Sequence, residues 1–231
     1  MEKKRIEGLL YPQIYSTFLI NGEEFNIQDL TERYYKDALS LLTEYLMPEE
    51  NFCKSVQIHK NEEAMKGIIT SYMKLFEQRM TLACFKKQTG ELVAVNVLGI
   101  TRSGETKDDI TDEDMKLLQK SKKFTMQGFD IYDTFKTDHY LNGFGLGVKP
   151  NYRGHGISVE LLKARIPLMK SLNIRVSGTS FSSIQAQRAA VKAGFTEVAS
   201  VSYDNVKIAF PKFDFSRAAG THCKYFILLN E

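Results

Sequence analysis

Hydrophobic and polar positions along this 231-residue chain switch between a period of two and a period near 3.6, and each switch marks an element. Ile14–Ile20 is rich in β-branched and aromatic residues and stops at Asn21-Gly22, a pair that favours a tight turn, so it predicts a first strand. From Gln28 to Met47 the apolar residues Leu30, Tyr34, Ala38, Leu41, Leu42 and Tyr45 recur at helical spacing, and Pro48 closes the pattern. Glu62–Phe76 predicts a second helix through Ala64, Ile68, Ile69, Tyr72 and Phe76. Met80–Lys86 and Glu91–Thr101 read as strands joined in a hairpin across Gln88-Thr89-Gly90. Asp112–Lys123 predicts a helix with Thr111 as N-cap and acids in its first turn. From there to Thr137 no clean period emerges.

His139–Val148 predicts a strand that runs into Lys149-Pro150-Asn151-Tyr152-Arg153-Gly154-His155-Gly156-Ile157-Ser158. A helix over Gly154–Ser171 follows, with Pro167 expected to kink it. Ile174–Thr179 predicts a strand, Ser183–Ala193 a helix ended by Gly194, and Phe195–Tyr203 and Lys224–Leu229 the last strands. The sum is an α/β fold: a central, mostly antiparallel mixed sheet flanked by helices, with one β-α-β-α passage over Tyr140–Phe195. No Pro/Gly/Ser-rich linker and no repeat divides the pattern, so residues 1–231 are expected to form a single domain.

Composition narrows the partners. A net charge of +3, with 43% hydrophobic and 26% charged residues, is ordinary for a soluble globular chain. The basic cluster Lys120, Lys122 and Lys123 reads as a solvated helix face, so neither a nucleic acid nor a membrane is expected as partner. Cys53, Cys84 and Cys223 are odd in number and lack metal-ligand spacing, which predicts free thiols, a reducing compartment and no metal. Met1-Glu2-Lys3-Lys4-Arg5 is charged and leads into no signal-type apolar stretch, and no run approaches the ~20 apolar residues of a membrane span. A cytoplasmic monomer is expected.

The chemistry concentrates at the glycine turn. A strand ending at proline, then arginine, two glycines and a helix, presents unpaired N–H groups and the positive end of a helix dipole. Glycines let an anion approach the backbone closely, so a diphosphate-bearing ligand fits. Gly154 and Gly156 alone fit a plain strand-to-helix connection equally well. The run is no G-x-x-x-x-G-K-[ST] loop, and it lacks the third glycine of a dinucleotide fingerprint.

Taken with its lead-in Gly147-Val148-Lys149-Pro150-Asn151-Tyr152, the run Arg153-Gly154-His155-Gly156-Ile157-Ser158 resembles motif A of the GCN5-related N-acetyltransferases, with Ser158 in the last small-residue slot. Ser183-Ile184-Gln185-Ala186-Gln187-Arg188-Ala189-Ala190-Val191-Lys192-Ala193-Gly194-Phe195 is similar to that family's following helix. Ala186, Lys192, Gly194 and Phe195 match, Ser183 replaces an asparagine, and Ala190 replaces the tyrosine that in many relatives protonates the departing thiolate. The resemblance implies the acyl-CoA N-acyltransferase fold and acetyl-CoA as cosubstrate. It implies cofactor contacts from Arg153, Gly154, His155, Gly156, Ile157, Ser158 and Ser183, with the backbone of Leu146, Gly147 and Val148 facing the thioester.

The turn Met47-Pro48-Glu49-Glu50-Asn51-Phe52-Cys53 is similar to the acidic turn of the insect arylalkylamine N-acetyltransferases. That likeness implies Glu50 as general base, with Glu49 open because Asn51 stands where those proteins have proline. It also implies a catalytic share for His222, and Ser182 and Ser183 reach the ligand face or cap the helix that follows. An alkylammonium ion has no free lone pair, so acyl transfer to it needs such a base and donors for the developing oxyanion. The expected activity is acetyl transfer from acetyl-CoA to a small arylalkylamine by direct attack in a ternary complex. A polyamine or agmatine acceptor, a protein acetyltransferase, or a coenzyme A-binding protein with weakened catalysis are the alternatives. Of the aromatics Tyr11, Tyr15, Phe18, Tyr45 and Phe52, most are expected in the core rather than in an amine pocket.

Overall fold

Asn21 and Gly22 both take positive φ, 51° and 83°, as a two-residue hairpin turn requires. The chain therefore folds straight back, and β1 (Ile14–Ile20) pairs antiparallel with β2 (Glu23–Asp29). β2 is the first departure from the pattern. Only Phe25 and Ile27 supply its apolar contacts, among acids and amides, and that is too little alternation to signal a strand. The helix expected from Gln28 accordingly begins later, as α1 (Tyr35–Leu41) after a 3₁₀ turn at Glu32–Tyr34.

The computed structural model describes residues 11–105 and 111–230. Its sheet has eight strands in the order β1-β2-β3-β4-β5-β6-β8-β7. The later strands are β3 (Leu82–Lys86), β4 (Glu91–Arg102), β5 (His139–Val148), β6 (Val176–Phe181), β7 (Thr196–Ser202) and β8 (His222–Leu229). Every neighbouring pair is antiparallel except β5–β6. The mixed, mostly antiparallel α/β sheet expected from the sequence is thus present.

Helices cover both faces. One face carries α1, α2 (Asn51–Ser55), α3 (Glu62–Glu77), α4 (Glu113–Thr125), α5 (Ile131–Phe135) and α9 (Tyr203–Ala209). The other carries α6 (Ile157–Lys163), α7 (Arg165–Ser171) and α8 (Ile184–Lys192). Thr111 does not cap α4; Asp112 does, its carboxylate accepting from the Met115 N–H at 2.9 Å. α5 and α9 are only five and seven residues long, too short to show a period. The single kinked helix expected over Gly154–Ser171 is two helices broken at Ala164. Pro167 has no N–H to give the Lys163 carbonyl, so the ladder is interrupted one turn before the proline.

Two local irregularities shape the centre of the sheet. β4 pairs Val97 with Gly145 but Leu98 with Gly143, so Phe144 is the extra residue of a bulge. The bulge turns Gly143 to the face opposite Gly145 and Gly147. On that second face α1 runs on into a π-helical turn, Leu42–Leu46, with Met47 N–H donating to the Leu42 carbonyl at 2.9 Å. This turn lies directly on β5. A Cβ at Gly145 would sit 3.0 Å from Leu46 Cδ2 and 3.1 Å from the Tyr72 hydroxyl, and one at Gly147 2.7 Å from Leu41 Cδ2. The glycines permit the close approach. Gly145→Val is therefore expected to lose about 1–3 kcal/mol through overpacking, read as a lower urea midpoint at unchanged m-value.

Candidate active site

β5 and β6 pair only at Leu141↔Ser177 and Asn142↔Gly178. Beyond those residues the strands part, and the β5 edge from Gly143 to Val148 has no strand partner on that side. A cleft of about 2180 Å³ opens in the gap, and residues from both faces of the sheet line it. That exceeds the ~300–1,000 Å³ of a single small-molecule pocket and leaves room for two ligands.

On one side of the cleft stands the glycine turn. Pro150–Tyr152 forms a 3₁₀ turn, and Gly154 (φ 81°) and Gly156 (φ 83°) take left-handed conformations before α6 begins at Ile157. No atom lies within 4 Å of a Cβ placed on either glycine, so the approach to the turn is clear. Glu91 anchors the lead-in, accepting from Lys149 Nζ at 2.8 Å and from the Tyr152 hydroxyl at 2.7 Å. The Lys149 contact above all holds the Glu91 carboxyl below its ordinary range, and Glu91 in turn pushes the Tyr152 phenol up to about 12. Arg153 does not extend freely: its Nε donates to the Val148 carbonyl at 3.0 Å and its Nη1 pairs with Glu49 at 2.8 Å.

Leu146, Gly147, Val148, Arg153, Gly154, Gly156, Ile157, Ser158 and Ser183 all line the cleft. His155 does not; it is exposed, with Nδ1 2.8 Å from the Arg153 carbonyl. Ser183 caps α8, its hydroxyl accepting from the Ala186 N–H at 3.2 Å.

Across the fork lies the acidic turn. Glu50 caps α2, one carboxylate oxygen accepting from the Cys53 N–H at 2.9 Å and the other from the Ser182 hydroxyl at 2.5 Å. The two adjacent acids therefore separate: Glu49 faces Arg153, whereas Glu50 faces Ser182, just past the end of β6. Behind Glu50 the Cys53 and Cys223 thiols are raised first by burial and then by its charge, so both stay protonated. Burial likewise keeps the Tyr72 and Tyr203 phenols neutral. His222 is not brought to this group. It is exposed and outside the cleft lining, with Nδ1 2.9 Å from the Thr221 hydroxyl. Alternation along β8 turns one of His222 and Cys223 inward, and it is Cys223, 1% exposed. Of the five aromatics singled out in the sequence, Tyr45 lines the cleft and Tyr11, Tyr15, Phe18 and Phe52 do not.

Asn51 organises the site and was legible only as a substituted proline. It is 2% exposed, and its amide nitrogen donates to the Ser182 carbonyl and the Tyr203 hydroxyl, each at 2.9 Å. Its amide oxygen accepts from the Ala219 N–H at 3.0 Å. The Tyr203 hydroxyl also donates to the Ser182 carbonyl. One buried side chain thus fixes Ser182 relative to Glu50. The sequence carries a second signal: Gly143, Gly145 and Gly147 recur at every other position of a strand, which marks a backbone that something approaches closely. Among the described residues no group of three His, Cys, Asp or Glu stands ready to hold a metal, and no helix is long and apolar enough to cross a membrane.

Compared by sequence, the chain matches no family profile and no curated protein. Compared by structure, it resembles N-acetyltransferases of insects. A putative arylalkylamine N-acetyltransferase 7 from the yellow fever mosquito Aedes aegypti superposes with a TM-score of 0.92 at 26% identity, covering 100% of each chain. Arylalkylamine N-acetyltransferase 2 from the same mosquito gives 0.78 at 16% identity over 90% of this chain and 99% of that one. The polyamine N-acetyltransferase of Drosophila melanogaster, which forms N-acetylagmatine, gives 0.68 at 15% identity over 89% of this chain and 99% of that one. The latter two speak for the fold alone. The fold is that of the GCN5-related N-acetyltransferases, as the glycine turn and the Ser183–Phe195 segment implied.

Replacing Asn51 tests the organising role. Asn51→Ala leaves the Ala219 N–H without its side-chain partner and takes one of two donors from the Ser182 carbonyl, and it is expected to cost about 1–3 kcal/mol, measured by denaturant unfolding. Hydrogen exchange should quicken first at Ala219 and in the segment around Ser182.

Proposed function

We propose that the protein transfers an acetyl group from acetyl-CoA to the primary amine of a small arylalkylamine, by direct attack in a ternary complex. The observation that carries this reading is the Glu50 carboxylate held on the Ser182 hydroxyl, just past the end of β6 where the strands have parted, in one cleft with the glycine turn.

The residues present fit the cosubstrate. The open approach to Gly154 and Gly156 and the first N–H groups of α6 suit a diphosphate, with Ser158 beside them. The free edge of β5 from Gly143 to Val148 suits an amide-bearing arm added as a strand, and its N–H groups suit a thioester carbonyl. Arg153 serves the phosphates by exchanging its Glu49 partner for them. Acetyl-CoA, once bound, supplies the activated acyl group; the chain supplies position and proton removal.

Glu50, through Ser182, takes the proton of the ammonium ion, and the short Glu50–Ser182 contact keeps both groups aligned for it. His155 and His222 have no part in this scheme, since neither lines the cleft. The acceptor side favours an aryl group over a polycation. Its wall includes Ile68, Tyr72, Met115, Leu118, Phe129 and Phe144. Lys122, exposed in the same lining, adds a cation that a polycation would meet.

A panel of arylethylamines, polyamines and peptides offered with acetyl-CoA, with thiol release as readout, tests the reading. Turnover is expected to be highest with arylethylamines. Faster polyamine or peptide turnover would reassign the acceptor, and coenzyme A binding without turnover of any amine would overturn the enzyme reading. Glu50→Gln is expected to lower kcat/KM by about 10²–10⁴-fold while leaving acetyl-CoA affinity within about threefold. Full activity in that variant would remove Glu50 as the base.

A further inference from the structure

Arg165, the first residue of α7, is 1% exposed and lines the cleft at the crotch of the β5–β6 fork. Its Nε donates to the Asn96 amide oxygen at 3.0 Å, and its Nη1 to the Ser177 and Thr179 hydroxyls at 3.1 and 2.7 Å. All three acceptors are neutral. Among the described residues no carboxylate pairs with this guanidinium, and Nη2 donates no hydrogen bond. A Cβ at Gly143 would lie 2.7 Å from Nη2, so the glycine at the first unpaired position of β5 is what admits the charge. The guanidinium also lies over the Phe195 ring, 5.3 Å from its centroid. Burial lowers its pKa to about 9, which leaves it a cation at neutral pH.

A buried cation held only by neutral groups is costly unless negative charge arrives beside it. Such charge arises in the proposed reaction. The amine nitrogen bonds to the thioester carbon, the carbon–sulfur bond breaks, and its electron pair stays on sulfur. Of the two protons the ammonium gives up, one leaves through Glu50 to solvent and the other ends on the departed sulfur. Ala190 offers no hydroxyl for that sulfur: it is buried in α8 against Leu162, Phe181 and Phe195 and does not line the cleft. Arg165 lies on the same face as α6 and α8, opposite Glu50, which is the side on which the coenzyme departs.

Resting on the acetyl-transfer reading, we propose that Arg165 stabilises the departing coenzyme A thiolate, its free Nη2 facing the sulfur at the crotch of the fork. Charge stabilisation there replaces protonation by a tyrosine. The titratable neighbour of Arg165 is Tyr225 of β8, whose phenol burial keeps neutral; Asn96, Ser177 and Thr179 carry no charge. Glu50, Cys53, Cys223 and Lys122 belong to the opposite face.

The ultraviolet absorbance of the thiolate, followed against pH with coenzyme A bound to the wild-type protein, tests this directly. The bound thiol is expected to titrate at least about one pH unit below its free value of ~8.5. Arg165→Gln should return it to the free value, and Arg165→Lys should keep part of the shift. Desulfo-coenzyme A should bind wild type and both variants within about threefold, because the diphosphate site is untouched. A bound wild-type thiol that titrates at or above ~8.5 overturns the proposal without involving any variant. A shift that survives Arg165→Gln overturns it too. Failure of coenzyme A to bind the wild type would instead overturn the acetyl-transfer reading, and this proposal with it.

Discussion

The parting of β5 from β6 after two paired residues is the constraint on which the rest of the structure depends. A strand that gives up a neighbour leaves a row of backbone N–H and C=O groups without partners, and such groups must be satisfied by water, side chains or a ligand. The chain answers in part with its own side chains. Arg153 caps the Val148 carbonyl, while on the other side of β5 Asn96 of β4 donates to the Gly145 carbonyl at 3.0 Å beside the bulge. What remains is an extended β5 edge that leads up to the glycine turn, the arrangement on which the proposed cosubstrate site rests.

The bulge at Phe144 and the π-helical turn at Leu42–Leu46 belong to the same arrangement. The bulge turns Gly143 toward α7 and leaves Gly145 and Gly147 facing α1. The π turn then settles on those two glycines and carries the chain into the turn that holds Glu49 and Glu50. The acid therefore reaches Ser182 because the helix takes one extra residue into its turn over two glycines that have no side chains to hold it off. Each departure from regular geometry creates the space that the next one fills.

The two faces of the sheet hold opposite charge at the fork. Glu50 stands on one, tied by Asn51, Ser182 and Tyr203 into a buried polar network. Arg165 stands on the other, tied by Asn96, Ser177 and Thr179. Networks of this kind are rigid because every member loses heavily if it moves away from its partners. That rigidity is what a site needs when proton removal and leaving-group departure occur on either side of one carbonyl carbon.

The sequence alone determined what depends on local conformation. Gly154 and Gly156 are legible because left-handed backbone before a helix demands glycine, and Asn21-Gly22 because a two-residue hairpin does. β5 appeared with its observed bounds, and α3 and α8 to within a residue or two, because their apolar periods are long enough to count. β2, α5 and α9 were missed because each has too few apolar positions to show a period. Tertiary structure decided everything that depends on which residues meet. Glu49 and Glu50 are equivalent as letters and are distinguished only by Arg153 and Ser182, about a hundred residues or more away. His222 and Cys223 could exchange places by a one-residue shift of register, and only pairing across β7 turns the cysteine in. Nothing in the letters around Arg165 marks it as buried, and only the fork and its glycine hold it against neutral partners. Local backbone demands are written in single residues, whereas burial and charge pairing exist only once distant segments pack together.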